Sequence, residues 1–188
     1  MRLLVSEQFC MRRLLPVSLF TCVILSVAGC SKRAGDACSL IGKEEVGSVQ
    51  GTAVNDTKSS ESSDGVFLVS QCFYTAAEFS KSVALALVHK YPKQPNGRSA
   101  KDFWKEKFDP YQNEEPKTKS SDGKEQGSAP KKIDGLGDDA YWVGSRFGGM
   151  LYVIKGDGFI SIGVGGTDDE ETKLKKSKIL AQKALQGL

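Results

Sequence analysis

The sequence predicts an α+β domain in which an antiparallel sheet of about five strands carries its helices on one face, in the order α-β-β-α-β-β-β-α. Three observations lead there. Residues 141–143, 150–154 and 159–164 are short runs rich in β-branched and aromatic side chains, separated by Arg146-Phe147-Gly148-Gly149 and Lys155-Gly156-Asp157-Gly158, the punctuation of an antiparallel meander. Residues 66–75 and 82–90 form two further β-rich runs. Residues 39–49, 99–108 and 167–188 instead place apolar residues at helical intervals among charges, and helices gathered on one side of a sheet bury such a set economically.

Taken in order, the first helix has Leu40, Ile41, Val46 and Val49 around Lys43, Glu44 and Glu45, with Gly51 as its stop. Residues 55–65 are Ser, Asp, Asn and Lys almost throughout and read as an exposed loop. The runs at 66–75 and 82–90 read as a hairpin; Ala84 and Ala86 alternate with Val83, Leu85 and Leu87, which suits one face against a helix and the other against a tighter neighbour. Ser99 is a natural N-cap and Asp109-Pro110 a natural end for a second helix, whose Phe103, Trp104 and Phe108 belong to the core. Residues 113–132 have almost no apolar side chain and are expected to be a solvated, mobile loop. Leu136-Gly137-Asp138-Asp139-Ala140 leads into the meander. Thr167, followed by Asp168, Asp169 and Glu170, opens a last helix with an apolar stripe of Leu174, Ala181, Leu185 and Leu188. Helix-strand-strand followed by helix-strand-strand-strand suggests an internal duplication.

The chain has 188 residues, but its first 29 read as an address. Arg12 and Arg13 precede an uncharged, mainly apolar run over 14–27, which is shorter than the roughly 20 residues that span a bilayer and contains Pro16. Met11 would begin a more compact signal than Met1. Leu25-Ser26-Val27-Ala28-Gly29-Cys30 resembles the lipobox of bacterial lipoproteins. The resemblance implies that the Cys30 thiol receives diacylglycerol, that cleavage falls just before it, and that the new amino group is acylated with a fatty chain such as palmitate. Two or three chains, at about 0.8 kcal/mol per buried methylene, anchor stably where one would not. Ser31 in place of an aspartate leans towards the outer membrane, with the body in the periplasm or at the surface of the cell envelope. Residues 30–37 form a short tether of no more than about 25 Å, and 38–188 a single domain.

Of the five cysteines, Cys10 and Cys22 leave with the signal and Cys30 takes lipid. Cys38 and Cys72 remain, and in an oxidising compartment they read as one disulfide, closing a loop of about 35 residues and contributing roughly 3 to 4 kcal/mol. The alternative is two buried thiols. His89 is the one histidine and has no second ligand at metal-like spacing, so neither a metal nor a cofactor is expected. Removing Arg2, Arg12, Arg13 and Glu7 turns 26 basic and 23 acidic residues into 23 and 22. Such a neutral, mixed distribution offers nothing to nucleic acid.

A catalytic set does not emerge. His89 closes an apolar run beside Lys90 and Tyr91. Asp138 and Asp139 are adjacent acids at a turn, one expected to cap it and the other to face water. Gly156-Asp157-Gly158 leads into a strand, whereas phosphate-binding glycines lead into a helix. Residues 168–171 lack the spacing of a calcium loop. Trp142 and Tyr152 are the candidates for a ligand groove on one sheet face; because Tyr141 and Trp142 must point to opposite faces, one of them is expected to be exposed.

Cys38-Ser39-Leu40-Ile41 with Glu45-Val46-Gly47, then Cys72-Phe73-Tyr74, then Gly135-Leu136-Gly137-Asp138-Asp139-Ala140-Tyr141-Trp142, resemble small bacterial lipoproteins of uncharacterised function. Those proteins pair a cysteine at the head of the first helix with one on the first strand, and later have a Gly-Leu-Gly-Asp-x-Ala turn. The resemblance implies the disulfide and the fold, and no activity. The expectation is therefore a lipid-anchored envelope module that binds a small ligand or an envelope protein. The rivals are a hydrolase using Asp138 and Asp139 and a purely structural envelope protein. Intact-mass measurement of the native protein should show residues 1–29 removed and acyl mass on Cys30, and Cys30→Ser should leave the precursor uncut; an unmodified residue 30 would remove the anchor.

Overall fold

The computed structural model describes residues 35–91, 97–111, 129–145 and 148–188. The expected signal, Cys30 and most of the tether lie outside these residues, as do most of the polar loop expected over 113–132 and the first two residues of the Arg146–Gly149 turn. Lys32–Leu188 form one unit that holds both cores and the disulfide internally.

The class is α+β, as expected, with a larger sheet. Among the described residues there are three α-helices, α1 (Lys43–Gln50), α2 (Ala100–Phe108) and α3 (Glu170–Ala184). Seven strands, β1 (Val54–Ser63), β2 (Phe67–Ala76), β3 (Val83–Lys90), β4 (Lys131–Lys132), β5 (Asp139–Ser145), β6 (Gly148–Lys155) and β7 (Gly158–Val164), form one sheet. Its order is β1-β2-β3-β7-β6-β5-β4, antiparallel throughout. Two meanders therefore meet at the β3–β7 pair.

The two strands beyond the expected five lie at the edges. β1 occupies the segment read as a loop: its side chains are exposed from Asn55 on, yet its backbone pairs with β2 from Val54↔Ala76 to Ser63↔Leu68. A strand that touches the sheet only through its backbone needs no apolar pattern, and a polar edge discourages pairing with foreign chains. β4 is two lysines from the end of the expected loop, paired to Trp142 and Tyr141.

The helices do not share one face. α1, α3 and a 3-10 turn at Ala37–Ser39 cover the first face, where Cys72, Tyr74, Leu85, Trp142, Leu151, Val153, Ile160 and Ile162 are buried together with Ile41, Val46, Leu180 and Ala181. α2 covers part of the second face, where Phe67, Val88, Tyr141, Ile154 and Phe159 meet Ala100, Trp104 and Phe108. α1 and α2, which an internal duplication would equate, thus lie on opposite sides of the sheet. Cover on both sides also explains why Tyr141 and Trp142 are both buried, at 0% and 1% exposure, although they point opposite ways.

Local chemistry sets the helix ends. Ser99 and Asp102 form a reciprocal capping box at α2, and the Ser99 hydroxyl and amide hold the Asp102 carboxyl below its usual range. Asp169, two residues after the expected Thr167, caps α3 by accepting from the Thr172 amide at 2.7 Å. The buried stripe of α3 is Lys173, Ser177, Leu180, Ala181 and Ala184; Leu174 and Leu185 pack at its margin, and Leu188 is exposed.

Cys38 and Cys72 are joined in a disulfide that fastens the Ala37–Ser39 turn to β2. Beside it the Ala37 amide donates to Ser70 Oγ at 2.9 Å, and Tyr74 Oη donates to the Ile41 carbonyl at 2.9 Å. Burial, reinforced by Asp36 and Glu45, pushes the Tyr74 phenol up to about 12. Cys38→Ser with Cys72→Ser should lower unfolding free energy by roughly 3 kcal/mol in urea titration; a change under about 1 kcal/mol would mean that the N-terminal turn is held by packing alone.

Candidate functional site

Strand register decides which residues can share a site. On the second face one cross-strand row runs Lys58, Phe73, Ala84, Gly163, Met150, Val143, and the next runs Ser60, Gln71, Ala86, Ser161, Tyr152, Tyr141. α2 lies over Tyr141, Tyr152, Ile154, Phe159, Val88 and Phe67. Phe108 stacks on Tyr141 with centroids 4.5 Å apart, and Phe103 stacks on Phe159 at 5.4 Å. Among the described residues, nothing covers the remaining half of this face.

That half is a trough. Its floor is four small residues on the two central strands, Ala84 and Ala86 of β3 and Ser161 and Gly163 of β7. Phe73 and Gln71 stand on one side, Met150 and Tyr152 on the other. Two adjoining hollows of about 620 and about 410 Å³ occupy it, sharing Phe73, Ala84 and Met150. Phe79, in the β2–β3 connection, is 70% exposed with its ring 6.3 Å from that of Phe73, itself 37% exposed. An exposed aromatic pair beside an apolar hollow of several hundred Å³ has the dimensions of a binding site. Burial raises the Tyr152 phenol above its ordinary range, and the Lys107 ammonium lies 5.2 Å from its ring.

Trp142 and Tyr152 do not line a common groove. Trp142 points to the first face, where it donates Nε1–H to Glu170 Oε1 at 2.7 Å, while Tyr152 points to the second beside Phe108. Adjacent strands put the two near each other in sequence pattern, and the pleat separates them. The residues that do form the trough carried a signal: Val83-Ala84-Leu85-Ala86-Leu87 and Ile160-Ser161-Ile162-Gly163-Val164 each alternate large with small. The tighter neighbour expected against Ala84 and Ala86 is absent among the described residues.

The adjacent acids are both engaged. The Asp138 carboxylate accepts from the Gly156 amide at 2.8 Å, and its own amide donates to the Ile154 carbonyl, so it secures the β6–β7 turn. Asp139 does not face water: Oδ2 accepts Nε1–H of Trp104 at 3.1 Å, which pins α2 to the sheet, and Oδ1 lies 3.5 Å from Lys132 Nζ. Gly137 adopts φ +63°, and a side chain there would run into the Ile154 carbonyl, so the Gly-Leu-Gly-Asp turn is a packing device. Asp168 pairs with Lys176 at 2.6 Å. His89 sits at the end of β3 against Gly35. Tyr141 Oη is buried without a hydrogen-bond partner among the described residues; burial first, then Asp139 and Asp109, raise its pKa. Among the described residues no cluster of three or more His, Cys, Asp or Glu could hold a metal ion, and no helix is long and apolar enough to cross a membrane.

Comparison of the chain with protein-family models, curated proteins and solved structures finds no match.

Two glycines test which face is open. A Cβ on Gly149 would collide with the Trp142 ring, whereas one on Gly163 would stand 3.6 Å from Met150 Cε in ordinary contact. Gly149→Ala should cost roughly 1–3 kcal/mol by overpacking, and Gly163→Ala less than about 0.5 kcal/mol, in urea unfolding. Equal losses would mean that the Gly163 side is filled.

Proposed function

We propose that this protein is a lipid-anchored module of the cell envelope whose trough on the second sheet face receives an apolar ligand or the apolar segment of a partner. The observation that carries this reading is the half-covered face: α2 seals one end by packing Ala100, Trp104 and Phe108 on Tyr141, Ile154 and Phe159, and the sheet beyond it presents Phe73, Ala84, Ala86 and Met150 to solvent around a hollow of about 620 Å³. Contiguous apolar surface of that kind, rimmed by polar residues, marks a place that something covers in use.

The position of Gly35 bears on how close a lipid on Cys30 would hold the domain. Gly35 lies beside His89, on the first face and at the far end of β3, while the trough opens on the second face towards Ser82 at the other end. Four residues lie between Cys30 and Gly35, five steps with a reach of about 17 Å. With lipid on Cys30, the domain would be held within that reach of the supporting bilayer. A hydrolase built on Asp138 and Asp139 finds no support, because both carboxylates are committed to the turn and to Trp104.

The test is a neutral apolar dye. Nile red should bind saturably at one molecule per chain, and Ala84→Trp, which fills the floor at an exposed position, should abolish that binding while leaving the melting temperature within about 2 °C. Absence of saturable binding, or unchanged binding by the variant, would overturn the trough as a binding site.

A further inference from the structure

Resting on the trough as the binding site, we infer that its ligand is a single-chain amphiphile with an anionic head, of the long-chain fatty carboxylate class. The larger hollow runs across the sheet, from Lys58, Ser59 and Ser60 on β1, over Phe73, Ala84 and Ala86, to Ser161 and Met150. Its ends differ in chemistry. The β1 end presents the ammonium of Lys58 with the hydroxyl of Ser60 and the amide of Gln71, while Ser59 turns its hydroxyl to Asp36 on the other face; the β6 end is the methionine side chain and the small residues of β7.

Among the described residues Lys58 is the one charged residue that lines the hollow, and no carboxylate lines it. The nearest acid on the same strand face, Asp56, caps its neighbour by accepting from the Thr57 amide at 2.9 Å. Among the described residues Lys58 forms no ion pair, whereas Lys81, Lys132, Lys176 and Lys183 each do. A cation at the polar end of an otherwise uncharged trough is complementary to a ligand charged at one end only, and it repels a cationic amphiphile. β1 to β6 is four strand spacings, about 19 Å, which accommodates an extended chain of up to roughly fifteen carbons. The width suits one chain, which would lie between two adjacent cross-strand rows, with Lys58, Phe73 and Met150 along one side and Ser60 and Gln71 along the other.

The experiment uses Lys32–Leu188, whose cores and disulfide are self-contained, titrated by calorimetry below micellar concentrations with sodium dodecanoate, 1-dodecanol and dodecyltrimethylammonium. Dodecanoate should bind saturably at one per chain and at least about fivefold more tightly than either other probe. Lys58→Ala should erase that preference while 1-dodecanol binding holds, Lys58→Glu should reverse it in favour of dodecyltrimethylammonium, and Ala84→Trp should abolish binding of all three. Equal binding of the three probes, or a preference that survives Lys58→Ala, would overturn the anionic ligand while leaving the trough as a binding site. No saturable binding of any probe would overturn both.

Discussion

The structure depends on the antiparallel pairing of β3 with β7. It joins two meanders that are far apart in sequence, Val83↔Val164 through His89↔Gly158, and creates the centre of the sheet. Because both strands alternate large with small in the same phase, the pairing lays Leu85, Leu87, Ile160 and Ile162 together on one face and Ala84, Ala86, Ser161 and Gly163 together on the other. One face thereby gains a deep core against α1 and α3. The other gains a strip of small residues that α2 leaves uncovered.

Around that centre, the remaining interactions fix which elements may move. The Cys38–Cys72 disulfide, the Ala37 bond to Ser70 and the Tyr74 bond to Ile41 lock the start of the domain to β2. Asp139 accepts from Trp104, and the Phe108–Tyr141 and Phe103–Phe159 stacks hold α2 to the opposite face. These polar anchors are few and short, and each ties one helix or turn to the sheet. α2 is therefore held at one end of its face by aromatic packing and leaves the trough uncovered beside it.

The same arrangement assigns roles to residues that, in isolation, looked chemical. Two adjacent aspartates suggest an acid pair, but a turn amide and an indole N–H consume both carboxylates. Trp142 suggests a ligand platform, but it is packed against the position of Gly149 and bonded to Glu170. What remains available is an exposed aromatic pair, a small-residue floor and an unpaired Lys58.

The sequence by itself determined the fold class, the three helices, the paired cysteines and most of the strands, because each is written in local periodicity, capping residues or composition. Ser99 and its Asp102 partner, the glycine turns and the alternation in residues 83–87 act over a few residues and can be read there. Tertiary structure alone decided the rest. β1 is a strand because β2 offers it a backbone ladder, which no side-chain pattern records. The side that α2 takes, and hence the burial of both Tyr141 and Trp142, follows from packing between residues some forty positions apart. The trough itself exists because β3 and β7, separated by nearly half of the domain, meet in a register that sets their small residues side by side.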